Sequence, residues 1–271
     1  KISKNFYVWR YSNKNQLLCY IVKKKKTIIG HVGFIKYKTH SGHYFVSRHS
    51  SFVDKFYRRK NLYTQLIKDC LIKLKKKNIL FVLIWPNDQN IHTVKKFKNI
   101  IKLPILKTYI SNIYIKKNIN LKKFENINQV EKFITFNNKH TLIKKNKKYF
   151  SWRYINKAPS ENFYLHRFKN KKSMFVFNYN KEEKLYNLLE HIGKSKYFIN
   201  HINFLKNKLK FIFWINSNIE KKREFLDLKI NKYKNKEFYS FVIPVREEFK
   251  YKNLKFINLS MGDTDVFIQK F

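Results

Sequence analysis

Three successive cations, Arg58, Arg59 and Lys60, stand directly before Asn61, Leu62 and Tyr63. They precede an apolar run with helical spacing, so the positive charge gathers where a helix begins. The first N–H groups of a helix have no intrahelical acceptor and, with the helix dipole, hold anions such as phosphate. Cations at that end oppose the dipole at a cost of ~0.3–1 kcal/mol each. An ordinary basic helix start would carry that cost for nothing; a bound polyphosphate offsets it. Asn61 belongs to the few non-glycine residue types that tolerate a left-handed backbone, which turns loop amides inward.

Other candidates are sparser. From His43 to Tyr57 the residues alternate, and Phe45, Ser47, His49, Ser51 and Val53 fall on one face of an extended strand. On that face His49 is a candidate general base, since imidazole titrates near neutral pH; the plainer role is a structural histidine. Asp263 and Asp265, two apart, would project the same way from a strand and grip an ammonium or act as base. The competing reading is an Asx-type turn around Gly262. Cys19 and Cys70 form no CxxC pair, and His40 and His43 have no Cys or carboxylate at ligand spacing, so no metal site is expected. Two isolated cysteines also make a reducing cytoplasm the default compartment.

The elements that must position these residues follow from periodicity. Gln16 to Lys23 and Lys26 to Lys38 predict two strands around a Lys-rich turn. His43 to Tyr57 contains a third. Between Arg59 and Lys77, Leu62, Leu66, Ile67, Cys70, Leu71 and Leu74 recur at spacings of three and four, an amphipathic helix. Ile79 to Trp85 is a short apolar run with the character of a buried strand. A short helix over Ile91 to Ile100 and a last strand over Ile105 to Ile115 complete the unit.

The whole composition permits such a fold. Of 271 residues, 60 are Lys or Arg and 17 are Asp or Glu, a formal net charge of +43. Yet 44% are hydrophobic and 18% aromatic, which excludes a disordered basic tail. Eight of the cations are Arg and the rest Lys. Proteins that grip phosphates or bases through planar bidentate contacts favour Arg. Lys, Asn, Ile, Phe and Tyr are all abundant and all read by A/T-rich codons, so most of the charge is expected on solvated faces such as Lys68, Lys73, Lys75 and Lys76. No specific nucleic-acid partner is expected. The apolar run Ile79 to Trp85 is far short of the ~20 residues of a membrane-spanning helix.

A weak internal repeat organises the chain. Phe6-Tyr7-Val8-Trp9-Arg10-Tyr11-Ser12-Asn13-Lys14 returns as Tyr149-Phe150-Ser151-Trp152-Arg153-Tyr154-Ile155-Asn156-Lys157. The apolar run at 80–87 is echoed at 211–216, each after a Lys-rich helical stretch. Two tandem α/β (α+β) units are expected, residues 1–123 and 124–271, with mixed, mostly antiparallel sheets flanked by helices. The repeated Trp-Arg-Tyr segments are read mainly as core.

Three motifs carry a family resemblance. Tyr57-Arg58-Arg59-Lys60-Asn61-Leu62-Tyr63-x-x-Leu66 resembles the acyl-CoA pyrophosphate loop of GNAT acyltransferases, Arg-x-x-Gly-x-Gly/Ala. Trp85-Pro86-Asn87-x-x-Asn90 resembles the Phe-Pro-Asn-x-x-Ser of a GNAT subgroup that opens with Trp-Arg/Lys-Tyr and carries a second, degenerate GNAT-like half. Met261-Gly262-Asp263-Thr264-Asp265 is similar to its Gly-Asp-Ser/Thr-Asp ending. The loop departs from the family at Asn61 and Tyr63, which replace its small residues. Val94 stands where many members carry a thiolate-protonating Tyr.

The resemblance implies an acyl-CoA-dependent N-acyltransferase whose first unit binds acetyl-CoA or another acyl-CoA. Arg58, Arg59, Lys60, Asn61, Leu62 and Tyr63 would hold the pyrophosphate. Ser51, Phe52 and Val53 would run along the pantetheine, with Asn87 and Asn90 near its amides. Backbone donors near Phe52 and Val53 would face the thioester oxygen. The acceptor would be a small or carrier-linked amine; the subgroup implies an amino sugar for surface polysaccharide. Two rival readings are a Fem-type transferase using aminoacyl-tRNA and a non-catalytic basic nucleic-acid-binding protein.

Overall fold

The computed structural model describes residues 17–39, 41–86, 88–111, 119–135, 143–156, 162–168, 173–247 and 249. The described residues begin with three antiparallel strands, β1 (Leu17–Lys24), β2 (Thr27–Lys38) and β3 (Tyr44–Val53). A 3-10 turn over Lys55–Tyr57 leads to helix α1 (Leu62–Lys76), then to β4 (Ile79–Ile84) and α2 (Asp88–Val94). Short strands β5 (Ile101–Lys102), β6 (Leu106–Ile110) and β7 (Lys122–Lys123) follow, with helix α3 (Asn128–Ile134).

The second half repeats this order. Helix α4 (Lys147–Phe150) passes into a π-helical turn over Ser151–Ile155, ahead of β8 (Phe163–Arg167), β9 (Ser173–Asn180) and β10 (Leu185–Gly193). A 3-10 turn over Ser195–Tyr197 leads straight into α5 (Phe198–Leu205), then β11 (Phe211–Asn216). Helices α6 (Ser217–Glu220) and α7 (Arg223–Leu226) and strands β12 (Asn231–Phe238) and β13 (Phe241–Pro244) close the described chain.

Helix α1 forms for the reason its spacing gave. Leu66, Ile67, Cys70 and Leu74 are buried, while Lys68, Lys73, Lys75 and Lys76 are exposed. Burying a Leu or Ile side chain contributes ~1.5–3 kcal/mol, far more than helix propensity. Each sheet has the same core of four strands. In the first, β1, β2 and β3 are antiparallel and β3 is parallel to β4; in the second, β8, β9, β10 and β11 repeat the pattern. The expected α/β architecture of two mostly antiparallel sheets with flanking helices is therefore present.

The outer strands are exchanged between the halves. The first sheet runs β1-β2-β3-β4-β13-β5, and the second runs β12-β6-β11-β10-β9-β8-β7. Strand β6, expected to end the first unit, lies between β11 and β12. Strand β13, from the far end of the chain, pairs antiparallel with β4 and β5. Three strands thus lie across the expected division between residues 123 and 124: β6 and β7 in the second sheet and β13 in the first. One shared core joins the sheets: Tyr37, Phe45, Phe81 and Leu83 pack in the same cluster as Leu165, Val176, Leu189 and Trp214. Separate clusters lie under α1 and α5.

The second Trp-Arg-Tyr segment is core, as its residue types indicated. Trp152, Arg153 and Tyr154 are buried, and the Tyr149 and Tyr154 hydroxyls both donate to Glu190 Oε1, at 2.9 and 2.8 Å. Lys145 Nζ lies 2.6 Å from the other oxygen of Glu190. The first segment, at Trp9, Arg10 and Tyr11, lies outside the described residues.

Candidate active site

Strand β3 carries the candidate residues His49, Ser51, Phe52 and Val53. Its antiparallel ladder with β2 pairs Phe34 with Arg48 and Gly33 with Ser50, so His49 is an extra residue opposed by none, a β-bulge. The bulge overturns the single-face expectation. Ser47 is opposite Ile35, in the core between the sheets, whereas Ser51 is opposite Val32, in the cluster under α1. Phe45, Ser47 and His49 therefore point away from α1, while Ser51 and Val53 point toward it. One inserted residue shifts a period-two pattern to the other face.

The parallel ladder between β3 and β4 ends at Ser47↔Leu83, although β3 continues to Val53. Among the described residues, no strand lies on the β4 side of Ser51, Phe52 and Val53. Among the described residues the buried hydroxyl of Ser47 has no hydrogen-bond partner at the point where the strands part. In the second sheet the β10–β11 ladder ends at Asn187↔Ile212, two residues before a bulge at Leu189, the same arrangement.

The loop after β3 distinguishes the two halves. Asp54 Oδ1 accepts from Phe56 N at 3.0 Å and caps the 3-10 turn, and Arg58 Nε donates to Val53 O at 3.0 Å. Arg59 and Asn61 both have positive φ, 61° and 57°. Two left-handed residues fold the chain back on itself before α1, and no side chain caps that helix. Arg58, Arg59 and Lys60 are exposed around this helix start. The second half has no such loop: its 3-10 turn runs directly into α5.

Arg48 was not singled out from the sequence, and it organises this corner. It is 9% exposed, and its guanidinium donates to the Tyr63 hydroxyl and, at 3.4 Å, to the carbonyl of Trp85. It thereby ties β3 to the first turn of α1 and to the end of β4. Its scarcity was the available signal: an Arg in a Lys-dominated chain marks a place where a planar fork of donors is needed. Tyr63 is thus held beside the loop by Arg48.

The remaining candidates are placed as follows. His49 Nε2 lies 3.4 Å from the Tyr37 hydroxyl, on the face away from α1. Phe52 stacks on His31, ring centroids 6.0 Å apart, and burial lowers the His31 pKa below its usual value. Leu62 is half-buried at the start of α1. Asn90 lies in α2. Asn87, Asp263 and Asp265 lie outside the described residues. No group of three or more His, Cys, Asp or Glu among the described residues could hold a metal ion.

Comparison with known proteins agrees with this architecture. Residues 2–98 match the acetyltransferase (GNAT) family model. No curated protein matches the chain by sequence. A probable N-acyltransferase from Enterococcus faecalis V583 has a similar structure, with a TM-score of 0.61 at 8% identity over 94% of this chain and 67% of that one. A GCN5-related N-acetyltransferase from Anabaena variabilis gives 0.57 at 11% identity, over 84% and 63%. Saccharomyces cerevisiae N-myristoyltransferase with bound myristoyl-CoA gives 0.57 at 15% identity, over 90% and 74%. The chain spans about two thirds of the length of the first two. The likeness to these structures shows that the two sheets together carry a GNAT-like fold.

Proposed function

We propose that the protein is an acyl-CoA-dependent N-acyltransferase whose first unit, residues 1–123, carries the site and whose second unit, 124–271, is degenerate. The observation that carries this reading is the gap where β3 leaves β4 after Ser47↔Leu83, next to the Arg58–Asn61 loop. The residues present fit an acyl-CoA: an unpartnered buried hydroxyl at Ser47, a strand edge at Ser51–Val53 and a cationic turn at an uncapped helix start.

Acyl-CoA supplies the acyl group as an activated thioester. The amides of Arg59 to Tyr63, with the side chains of Arg58, Arg59 and Lys60, would take its diphosphate. The edge of Ser51 to Val53 would pair with the pantetheine amides, with Asn87 and Asn90 beyond β4, and backbone donors near Phe52 and Val53 would face the thioester oxygen. His49, at the bulge and 3.4 Å from the Tyr37 hydroxyl, would take a proton from the attacking amine. Asp263 and Asp265 are kept as acceptor-binding candidates on their sequence pattern. The acceptor is an amine on a small or carrier-linked molecule, with an amino sugar as the class the motifs favour.

Calorimetry with CoA tests the site. Binding is expected in the native protein and absent in the Arg58→Glu/Lys60→Glu variant; unchanged affinity in that variant would remove the loop from the site.

A further inference from the structure

Beside the cofactor loop the surface combines two features that seldom coincide. Four large apolar side chains are exposed there: Ile21 by 48%, Ile28 by 48%, Phe52 by 41% and Phe56 by 70%. Ile21 is opposite His31, and His31 is opposite Phe52, so these residues form one row across β1, β2 and β3. Ile28 follows at the hairpin end, opposite Lys23. Gly30, one residue from His31, faces Leu62 and Leu66 of α1, so the row lies on the sheet face away from that helix.

The same end of the sheet is ringed by cations. Lys23, Lys24, Lys25 and Lys26 form the β1–β2 turn, and Lys55, Arg58, Arg59 and Lys60 follow β3; all are exposed. The two groups are adjacent: Lys24 and Lys60 lie over the same Tyr57 ring, 5.4 and 5.8 Å from its centroid. Asp54 N donates to Ile29 O at 2.9 Å, which holds the 3-10 turn against the hairpin. None of these eight cations forms an ion pair with a described residue, and the one acid among them, Asp54, is engaged as a cap.

We propose that this end of the first sheet docks on an anionic lipid surface, with Ile21, Ile28 and Phe56 entering the headgroup boundary and Lys23, Lys24, Lys25, Lys26 and Lys55 facing lipid phosphates. Charge complementarity sets the sign of the partner, and the apolar row sets its kind. Isoleucines gain by leaving water but offer no ring for a base to stack on, which favours a membrane over RNA. Each Lys close to an anionic leaflet strengthens binding about fivefold. The proposal stands apart from the acyl-transfer reading, because its test residues lie outside the cofactor set.

Flotation at 150 mM salt with the full chain tests it, using phosphatidylcholine vesicles with and without 30% phosphatidylglycerol. Strong binding to the anionic vesicles only is expected. Lys23–Lys26→Gln at all four positions should weaken it at least tenfold. Ile28→Ser/Phe56→Ser should weaken it several-fold, with Ile28→Leu/Phe56→Leu restoring it; matched circular dichroism and urea midpoints show that each variant folds. No binding to anionic vesicles, or full binding by the Ser variant, would overturn the proposal. So would tighter binding to tRNA than to vesicles that the four-lysine variant abolishes, which would make the surface an RNA site.

Discussion

The guanidinium of Arg48, on β3, donates to the hydroxyl of Tyr63, in the first turn of α1. Among the described residues no carboxylate pairs with this buried cation; its partners are a phenol and the Trp85 carbonyl. Removing the phenol leaves a charged donor short of an acceptor. Tyr63→Phe should therefore lower stability by about 1.5–3 kcal/mol, the range for hydrogen bonds to charged groups. Urea denaturation measures it, and an unchanged midpoint would show that solvent replaces the hydroxyl without cost.

The Lys145–Glu190 pair is buried, with side chains 2% and 1% exposed. Glu190→Ala removes the carboxylate beside a buried ammonium and the acceptor of two tyrosines. A loss of about 3–5 kcal/mol is expected. Adding Lys145→Met should recover part of it, because the buried charge that lost its carboxylate is then gone. A double mutant no more stable than Glu190→Ala would assign the loss to the tyrosine hydroxyls.

Two buried histidines, His166 and His201, linked to the half-buried His191, make the fold sensitive to acid. His166 Nδ1 is 2.8 Å from His201 Nε2, and Ser173 Oγ lies 2.9 Å from His201 Nδ1 and 3.0 Å from His191 Nε2. Desolvation lowers the pKa of His166 to about 4 and, with the neighbouring histidines, that of His201 to about 2. Unfolded, both titrate near 6.5. The unfolded chain therefore binds more protons below that pH, and stability falls as pH drops from about 6.5 toward 4. Each histidine contributes a slope of about 1.4 kcal/mol per pH unit across that window. Urea midpoints at pH 7 and pH 5 should differ accordingly, and His201→Gln should flatten the difference. Equal slopes in both proteins would place the sensitivity elsewhere.

The exchange of β6 and β13 ties the halves into one folding unit. Without β13, the edge of β4 over Phe81–Ile84 loses its partner and presents an apolar strand to solvent. Residues 1–123 expressed alone should aggregate, while co-expression with 124–271 should restore a soluble complex. Heat should unfold the whole chain in one transition. A soluble, cooperatively folded 1–123 fragment would contradict this.

How much of this was legible in the sequence follows from the range of the forces involved. Strands β1 to β4 and helix α1 were readable because their residue types and spacing are local, and Asn61 could be assigned a left-handed turn from its chemistry alone. The repeat of Trp-Arg-Tyr was enough to expect two similar units. Other features needed the tertiary structure. Which sheet takes Leu106–Ile110 or Phe241–Pro244 depends on pairing across more than a hundred residues, and a short apolar strand carries no label for its partner. The bulge at His49 is set by the register against β2, so strict alternation placed Ser51 and Val53 on the wrong face. Nothing local in the sequence but its residue type marks Arg48 among the 60 cations, and nothing local links His166, His191 and His201. Residue type states what a side chain can do; only packing decides which side chains leave water together, and burial makes their charges and protons matter.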